Sequence, residues 1–359
     1  MLNMNYILHN RSLCKGIRLI STSQSVYSAT AQRIGVIGMG HVGTAVTKNL
    51  LRNGFNVSAI MDVKPDLCQG YPDTVKVVGS PAEVAQLSDV VVSGLPKPHH
   101  VKEVFEGSSG LLAGLKQGQI WIDHSTTDHE QNKVFTEQMA AKGAYLLECP
   151  ITGGLDALKK GQMAVWVAGD KEKYVEVKPI LDASYSTVQY TGGLGTAMIP
   201  KVLSNMLCGL QVIAMAEAML IAKRHGLDLV EFWHSIRMSA GNSFLWETCG
   251  PNVFRGEYHD SFPIELMCKD NQLGYEMARN AKIPLELFGL MQQIYNRALY
   301  SLGPDVGCYA PPILYEREHK ESLQAPGFEN WTYSVENVDG ALHVRHEGIE
   351  LPAKKQKKE

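Results

Sequence analysis

The chain divides into two stretches by its hydrophobic pattern. From Ile34 to about Tyr190, short apolar runs alternate with amphipathic stretches of helical period. Strands are predicted at Ile34–Ile37, Val57–Met61, Val75–Val78, Val90–Ser93, Ile120–Ile122, Tyr145–Leu147, Val165–Ala168 and Thr187–Tyr190. Helices are predicted between them at Val42–Arg52, Glu83–Leu87, His129–Lys142 and Lys171–Leu181. Strand-helix alternation at this spacing implies a mostly parallel, doubly wound α/β sheet. After Thr191-Gly192-Gly193 the β-runs stop. Thr196–Arg224 reads as one long helix closed at His225-Gly226, followed by helices at Leu229–Met238, Ile264–Ala281 and Pro284–Leu302. The second region is therefore expected to be all-helical. Beyond Pro311-Pro312 the sequence turns polar, with a possible small hairpin of Trp331–Glu336 and Ala341–His346 around Asp339-Gly340, and a solvated end at 354–359. The expected division is a leader 1–30, a Rossmann-type dinucleotide domain 31–194, a helical domain 195–310 and a polar tail 311–359.

Composition narrows the class. With 359 residues, 45% of them hydrophobic, the chain can bury two cores. Its net charge of -3 provides no basic field for nucleic acid. Seven scattered cysteines without a CxxC pair argue against a disulfide framework or a structural zinc site. No metal is expected. No uninterrupted apolar run reaches the length of a membrane span; Met206–Ile221, broken by Gln211 and Glu217, reads as a buried helix, so no membrane partner is expected. The first thirty residues hold Arg11, Lys15, Arg18 and five serines, and no acid precedes Asp62. That is the composition of a mitochondrial transit peptide. The expected location is the mitochondrial matrix, or the cytoplasm if the leader is not an import signal.

The first chemical motif is Gly38-Met39-Gly40-His41-Val42-Gly43, a G-x-G-x-x-G turn between a strand and a helix. The glycines permit a sharp turn, a close approach of pyrophosphate to the backbone and tight helix-strand packing. A second strand ends at Asp62, an acid placed to accept ribose hydroxyls and repel a 2′-phosphate, so NAD is expected over NADP. Leu95-Pro96 and Ser125-Thr126 follow later strands, where an open α/β sheet gathers ligand contacts.

Three further segments have a bland reading and a chemical one. Glu148-Cys149-Pro150-Ile151-Thr152-Gly153-Gly154 is a loop whose N–H groups and hydroxyl can hold a carboxylate. Lys201 and Asn205 share a helix face among apolar neighbours. Such a lysine either snorkels into water or loses hydration and becomes a proton carrier near neutrality. Lys269-Asp270 is by itself an ordinary helical pair.

Taken together, these motifs resemble the β-hydroxyacid dehydrogenase family over roughly Arg33 to Leu302. They are the glycine turn, the loop ending in Thr152-Gly153-Gly154, Gly193-Leu194-Gly195 followed by Lys201 and Asn205, and Lys269-Asp270. The resemblance implies an N-terminal Rossmann domain and a helical C-terminal domain with the active site between them, in a homo-oligomer acting on a small-molecule hydroxy acid. It implies that Lys201 transfers the proton and Asn205 positions it. Thr152, Gly153 and Gly154 would hold the substrate carboxylate. Gly38, Met39, Gly40, His41, Val42, Gly43, Asp62, Leu95, Pro96, His100, Thr126 and Lys269 would contact the cofactor. The implied reaction is NAD-dependent oxidation of a small 3-hydroxy acid, 3-hydroxyisobutyrate to methylmalonate semialdehyde foremost. Alternatives are a reductase of tartronate or succinate semialdehyde, or a cofactor-binding module without catalysis. Three features depart from the pattern: Thr152 stands where the family usually has serine, Glu148-Cys149 replaces the usual Asp-Ala, and Pro200 directly precedes Lys201, which predicts a late start or a bend in the helix.

Overall fold

The computed structural model describes residues 31–259, 262–338 and 341–351. The expected leader and the Lys-rich end fall outside the described residues, as does the Asp339-Gly340 turn. The chain forms two compact units, one of residues up to Gly153 together with Leu158–Met198, the other of Gly154–Ala157 and the residues from Ile199 on.

The first unit is a nine-stranded sheet. In chain order its elements are β1 (Arg33–Ile37), α1 (His41–Arg52), β2 (Asn56–Met61), β3 (Lys76–Val77), α2 (Pro81–Leu87), β4 (Val90–Ser93), α3 (Pro98–Glu106), α4 (Leu111–Gly114) and β5 (Ile120–Asp123). There follow α5 (His129–Ala140), β6 (Tyr145–Glu148), β7 (Ile151–Thr152), α6 (Leu155–Lys159, which runs from one unit into the other), β8 (Met163–Gly169), α7 (Lys171–Asp182) and β9 (Tyr185–Gly192). Strand order is β3-β2-β1-β4-β5-β6-β8-β7, with β9 also on β8. The run from β3 to β6 is parallel throughout. The direction then inverts: β6 and β7 both pair antiparallel with β8, and β9 parallel with it. The strands β1, β4 and β5 are almost wholly buried, which is why they read as continuous apolar runs rather than alternating ones. Helices cover them: Phe105 of α3 and Phe135 of α5 pack with Trp121 of β5, with Phe105 and Trp121 stacked at 5.3 Å. Asp128 and Asp170 start α5 and α7 by accepting the N–H groups of Glu130 and Lys173 at 2.6 and 2.9 Å.

The second unit is helical. Its elements are α8 (Met198–Arg224, whose first residue belongs to the sheet unit), α9 (Leu229–Arg237), α10 (Phe244–Arg255), α11 (Ile264–Asn280), α12 (Leu287–Leu302) and α13 (Pro312–His319), closed by the antiparallel hairpin β10 (Thr332–Val338) and β11 (Ala341–Glu347). Its core gathers Val202, Met206, Met219, Trp233, Phe254 and Tyr295. By length and composition α8 is apolar enough to cross a membrane, and half of its most apolar window is buried inside the fold.

Two local expectations change. Ile199 and Pro200 are both helical, because α8 starts at Met198. The start falls two residues after the expected Thr196, and Pro200 thus sits in the first turn, where its missing N–H would have had no intrahelical acceptor. The polar composition after Pro311 also concealed structure. Leu323 and Phe328 are fully buried and Trp331 nearly so, and all three join the helical core.

Candidate active site

The glycine turn is built as its spacing requires. Gly38 N–H donates to Met61 O at 2.8 Å, which brings the end of β1 to the end of β2. A Cβ on Gly43 would lie 1.9 Å from Gly38 O, so only glycine lets α1 pack this close to the strand. A Cβ on Gly40 would meet nothing within 4 Å. The helix start therefore faces open space, and its Gly40 cap uses no side chain to satisfy the first N–H groups. That geometry fits the pyrophosphate of a dinucleotide. Met39 is buried and Thr44 Oγ1 donates to its carbonyl, while His41 is exposed and Val42 half-buried.

Asp62 closes the turn. Its Oδ2 accepts Met39 N–H at 2.6 Å and its Oδ1 accepts Lys64 N–H at 2.8 Å. Each oxygen keeps a lone pair for a ribose hydroxyl. The Leu95-Pro96 loop is tied down by Leu95 N–H donating to Ser125 Oγ at 2.9 Å. Thr126 follows Ser125 and is half-buried. His100, half-buried on α3, has its imidazole pKa lowered by burial.

Below these loops lies a carboxylate the sequence reading did not single out. Asp123 is buried at the end of β5 and accepts from Ser93 Oγ at 2.8 Å and from Ser125 Oγ and N at 2.6 and 3.1 Å. Burial raises its pKa to about 6, against the pull of those hydroxyls. Asp123 thereby fixes the β4 and β5 ends that carry Leu95 and Thr126. Beside it His124 is buried: Nδ1 bonds Cys149 O at 2.7 Å and Nε2 bonds Tyr185 Oη at 3.0 Å. Burial drops this imidazole to about 4. The neutral ring then donates from Nδ1 to the carbonyl and accepts the phenol proton at Nε2.

Glu148 anchors the base of the loop that ends in Thr152-Gly153-Gly154. It is fully buried and accepts from Asn132 Nδ2 at 2.9 Å and from Gly195 N–H at 2.6 Å. Burial raises its pKa, offset by those two donors. One carboxylate thus joins β6, α5 and the Gly193–Gly195 turn that leads into α8. Ile151–Thr152 forms the short strand β7. Gly153 follows at φ +137°, and a Cβ there would press on Met163 at 2.9 Å, so this corner requires glycine.

In the helical unit the Lys201/Asn205 pair extends to a chain of four. Lys201 Nζ donates to Asn205 Oδ1 at 3.3 Å, and Asn205 Nδ2 donates to Asp270 Oδ2 at 2.6 Å. Lys269 Nζ lies 2.9 Å from Asp270 Oδ1. The fully buried Asp270 accepts only, so it orients the Asn205 amide with its oxygen toward Lys201. Gly274, one turn beyond Asp270, allows this approach: a Cβ there would overlap Met206 Sδ at 2.1 Å. Lys201 does not snorkel out, being only 9% exposed. Burial lowers its pKa, with Asp270 opposing and Lys269 reinforcing. The Phe262 ring lies 6.0 Å from its Nζ.

Two family models match consecutive parts of the chain: the NAD-binding domain of 6-phosphogluconate dehydrogenase over residues 33–192, and the "NAD-binding" domain of NADP-dependent 3-hydroxyisobutyrate dehydrogenase over residues 193–310. The chain belongs to the β-hydroxyacid dehydrogenase family. It is 34% identical to the mitochondrial 3-hydroxyisobutyrate dehydrogenase of Homo sapiens, over 76% of this chain and 83% of that one. It is 30% identical to the L-threonate dehydrogenase of Cupriavidus necator, over 75% and 91%. Its fold matches the solved 3-hydroxyisobutyrate dehydrogenase of Mycobacterium tuberculosis with L-serine, at a TM-score of 0.72 and 24% identity over 79% of this chain and 99% of that one. This family member is an NAD(P)-dependent 3-hydroxyacid dehydrogenase with a small-molecule substrate and a nicotinamide cofactor.

Proposed function

We propose that the enzyme oxidises 3-hydroxyisobutyrate, or a close 3-hydroxy acid, to its semialdehyde with NAD. The observation that carries the chemistry is Lys201, buried with a lowered pKa and bonded to an Asn205 whose amide Asp270 orients. The nicotinamide, when bound, supplies hydride acceptance. Neutral Lys201 takes the hydroxyl proton at Nζ, and Asn205 holds that amine in place. Thr152 Oγ1 and the loop N–H groups of Gly153 and Gly154 hold the carboxylate. The Gly38–Gly43 turn binds the pyrophosphate. His100, Thr126 and Lys269 complete the cofactor contacts with Leu95 and Pro96. We assign residues 31–194 to cofactor binding and 195–310 to the helical catalytic domain. Relative kcat/KM over a panel of three- and four-carbon hydroxy acids, including threonate, with tartronate and succinate semialdehydes in reverse, tests the substrate. A panel maximum away from 3-hydroxyisobutyrate removes that choice.

The cofactor preference rests on Asp62, whose carboxylate stands at the end of β2. A 2′-phosphate there meets like charge. The expected result is a higher kcat/KM with NAD than with NADP, narrowed about tenfold or more in Asp62→Ala. An NADP-preferring wild type would contradict the assignment.

The acid-free leader with Arg11, Lys15 and Arg18 supports a mitochondrial location. Isolated mitochondria should import the precursor and shorten it ahead of β1. A protein that stays outside rules out this location, and one that keeps Met1 after import rules out a cleaved leader.

A further inference from the structure

Asp123 is a buried carboxylate at a place where a neutral amide of the same shape could also accept hydrogen bonds. Its charge is costly. Burial raises its pKa to about 6, so the ionised form weakens the fold; the penalty grows as pH rises from the ordinary carboxylate range and is complete above that value. Glu148 of β6, its cross-strand partner, adds to the penalty by like charge. The neighbouring Cys149 thiol and His124 imidazole are both held neutral by burial, and His129 of α5 acts on Glu148. Three hydrogen bonds converge on Asp123 Oδ1, from Ser93 Oγ, Ser125 Oγ and Ser125 N–H. Its Oδ2 is buried with no hydrogen-bond partner among the described residues. A proton therefore goes to Oδ2 and leaves Oδ1 as a weaker, neutral acceptor for all three donors.

Both serines pass the link onward. Ser93 Oγ accepts Trp121 Nε1–H at 2.7 Å, which turns its own proton toward Asp123. Ser125 Oγ accepts Leu95 N–H at 2.9 Å and likewise donates to Asp123. Leu95 in turn reaches the glycine turn: its Cδ2 lies 3.0 Å from where a Cβ on Gly38 would stand. Through one hydroxyl the carboxylate thus sets how the loop after β4 lies against the turn after β1. All of these residues belong to the sheet unit.

We propose that Asp123 is a positioning residue for the dinucleotide: its ionised carboxylate, acting through Ser125, holds the Leu95-Pro96 loop against the Gly38–Gly43 turn in the arrangement that binds NAD. Charge on the acceptor shortens and strengthens the hydroxyl bonds, which a neutral acceptor would leave looser. A stability penalty kept where a neutral acceptor would serve the fold is expected when function needs the charge. This rests on reading Leu95 and the glycine turn as cofactor contacts, and the experiment separates the two ideas.

The test measures the calorimetric Kd of NAD for full-length wild type, Asp123→Asn, Ser125→Ala and Leu95→Ala between about pH 5 and about pH 8, together with kcat at saturating NAD and Tm. Asp123→Asn keeps an oxygen for the serines and removes the charge. A charged acceptor makes bonds about twice as strong as a neutral one, which corresponds to roughly a 5- to 10-fold change in binding. Wild-type Kd should rise by that factor as pH falls through about 6. Asp123→Asn should show the weaker binding at every pH, without that inflection, and Ser125→Ala should weaken NAD similarly. In Asp123→Asn, kcat at saturating NAD should stay within about threefold, and Tm above the inflection should equal or exceed that of wild type. If Leu95→Ala weakens NAD and Asp123→Asn binds it as wild type does, the Asp123 assignment falls and the loop reading stands. If neither variant changes NAD binding, the loop reading falls and takes this assignment with it. A wild-type Kd without the inflection overturns the proposal with no variant needed. An inflection that survives in Asp123→Asn, or a lowered Tm in that variant, shows a packing role and overturns it too.

Discussion

Lys201→Ala is expected to lower turnover about 10²- to 10⁴-fold, the span of a general acid-base group, while the protein stays folded. Burial disfavours the charged amine, so removing it takes no favourable hydration from the core. Asp270 keeps Lys269 as its counter-charge in the variant. The pH dependence carries a definite sign. The lysine pKa lies below its ordinary 10.5, and oxidation needs the neutral amine. Oxidative kcat/KM should therefore climb with pH and level off above the lowered value. The semialdehyde reduction needs the protonated amine and should fall across the same range. In Lys201→Ala both inflections should vanish. Near-normal turnover in a folded Lys201→Ala protein, or inflections that survive it, would move the proton transfer to another group.

Gly43→Ala is expected to be nearly as damaging, by a different route. The added methyl would stand 1.9 Å from the carbonyl oxygen of Gly38, and backbone on both sides leaves nothing flexible to yield. Either α1 moves off β1 or the turn at Gly38 deforms. Overpacking of this kind costs about 1–3 kcal/mol in stability. The same displacement carries the Gly40 end of α1 away from the cofactor's position, so affinity should drop by about tenfold or more. Differential scanning calorimetry and cofactor fluorescence titration read the two effects separately. Gly40→Ala is the matched control, since its methyl meets no protein atom within 4 Å. It should leave Tm near wild type and weaken only the cofactor. Wild-type stability and affinity in Gly43→Ala would show that the close strand-helix contact does not matter.

Much of the arrangement was legible because its causes are local. The strand-turn-helix at Gly38–Gly43 follows from periodicity and glycine spacing over a dozen residues. The Lys201/Asn205 pair follows from helical geometry alone, and their hydrogen bond at 3.3 Å agrees with it. The alternation of β and α segments implied the parallel sheet, whose order now runs β3-β2-β1-β4-β5-β6. Pro200 is accommodated because it lies in the first turn of α8, which begins at Met198, where its missing N–H has no intrahelical acceptor.

What the chain determined by itself, then, is the pair of fold classes, the strand-turn-helix at Gly38–Gly43 and the face on which Lys201 and Asn205 lie. Each depends on neighbours a few residues apart, whose geometry the backbone period sets. Only the tertiary structure decided the partners reached across long separations. Asp270 meets Asn205 across 65 residues, Glu148 meets Gly195 across 47, and Asp123 meets Ser93 across 30. An acidic residue in sequence carries no mark of whether it will face water or be buried as an acceptor. The lysine's depressed pKa belongs to this second class, because desolvation is a property of everything packed around the amine. So does Trp331, drawn from a polar stretch into the helical core and held by His346 and Arg255, which come from opposite sides of it in the chain.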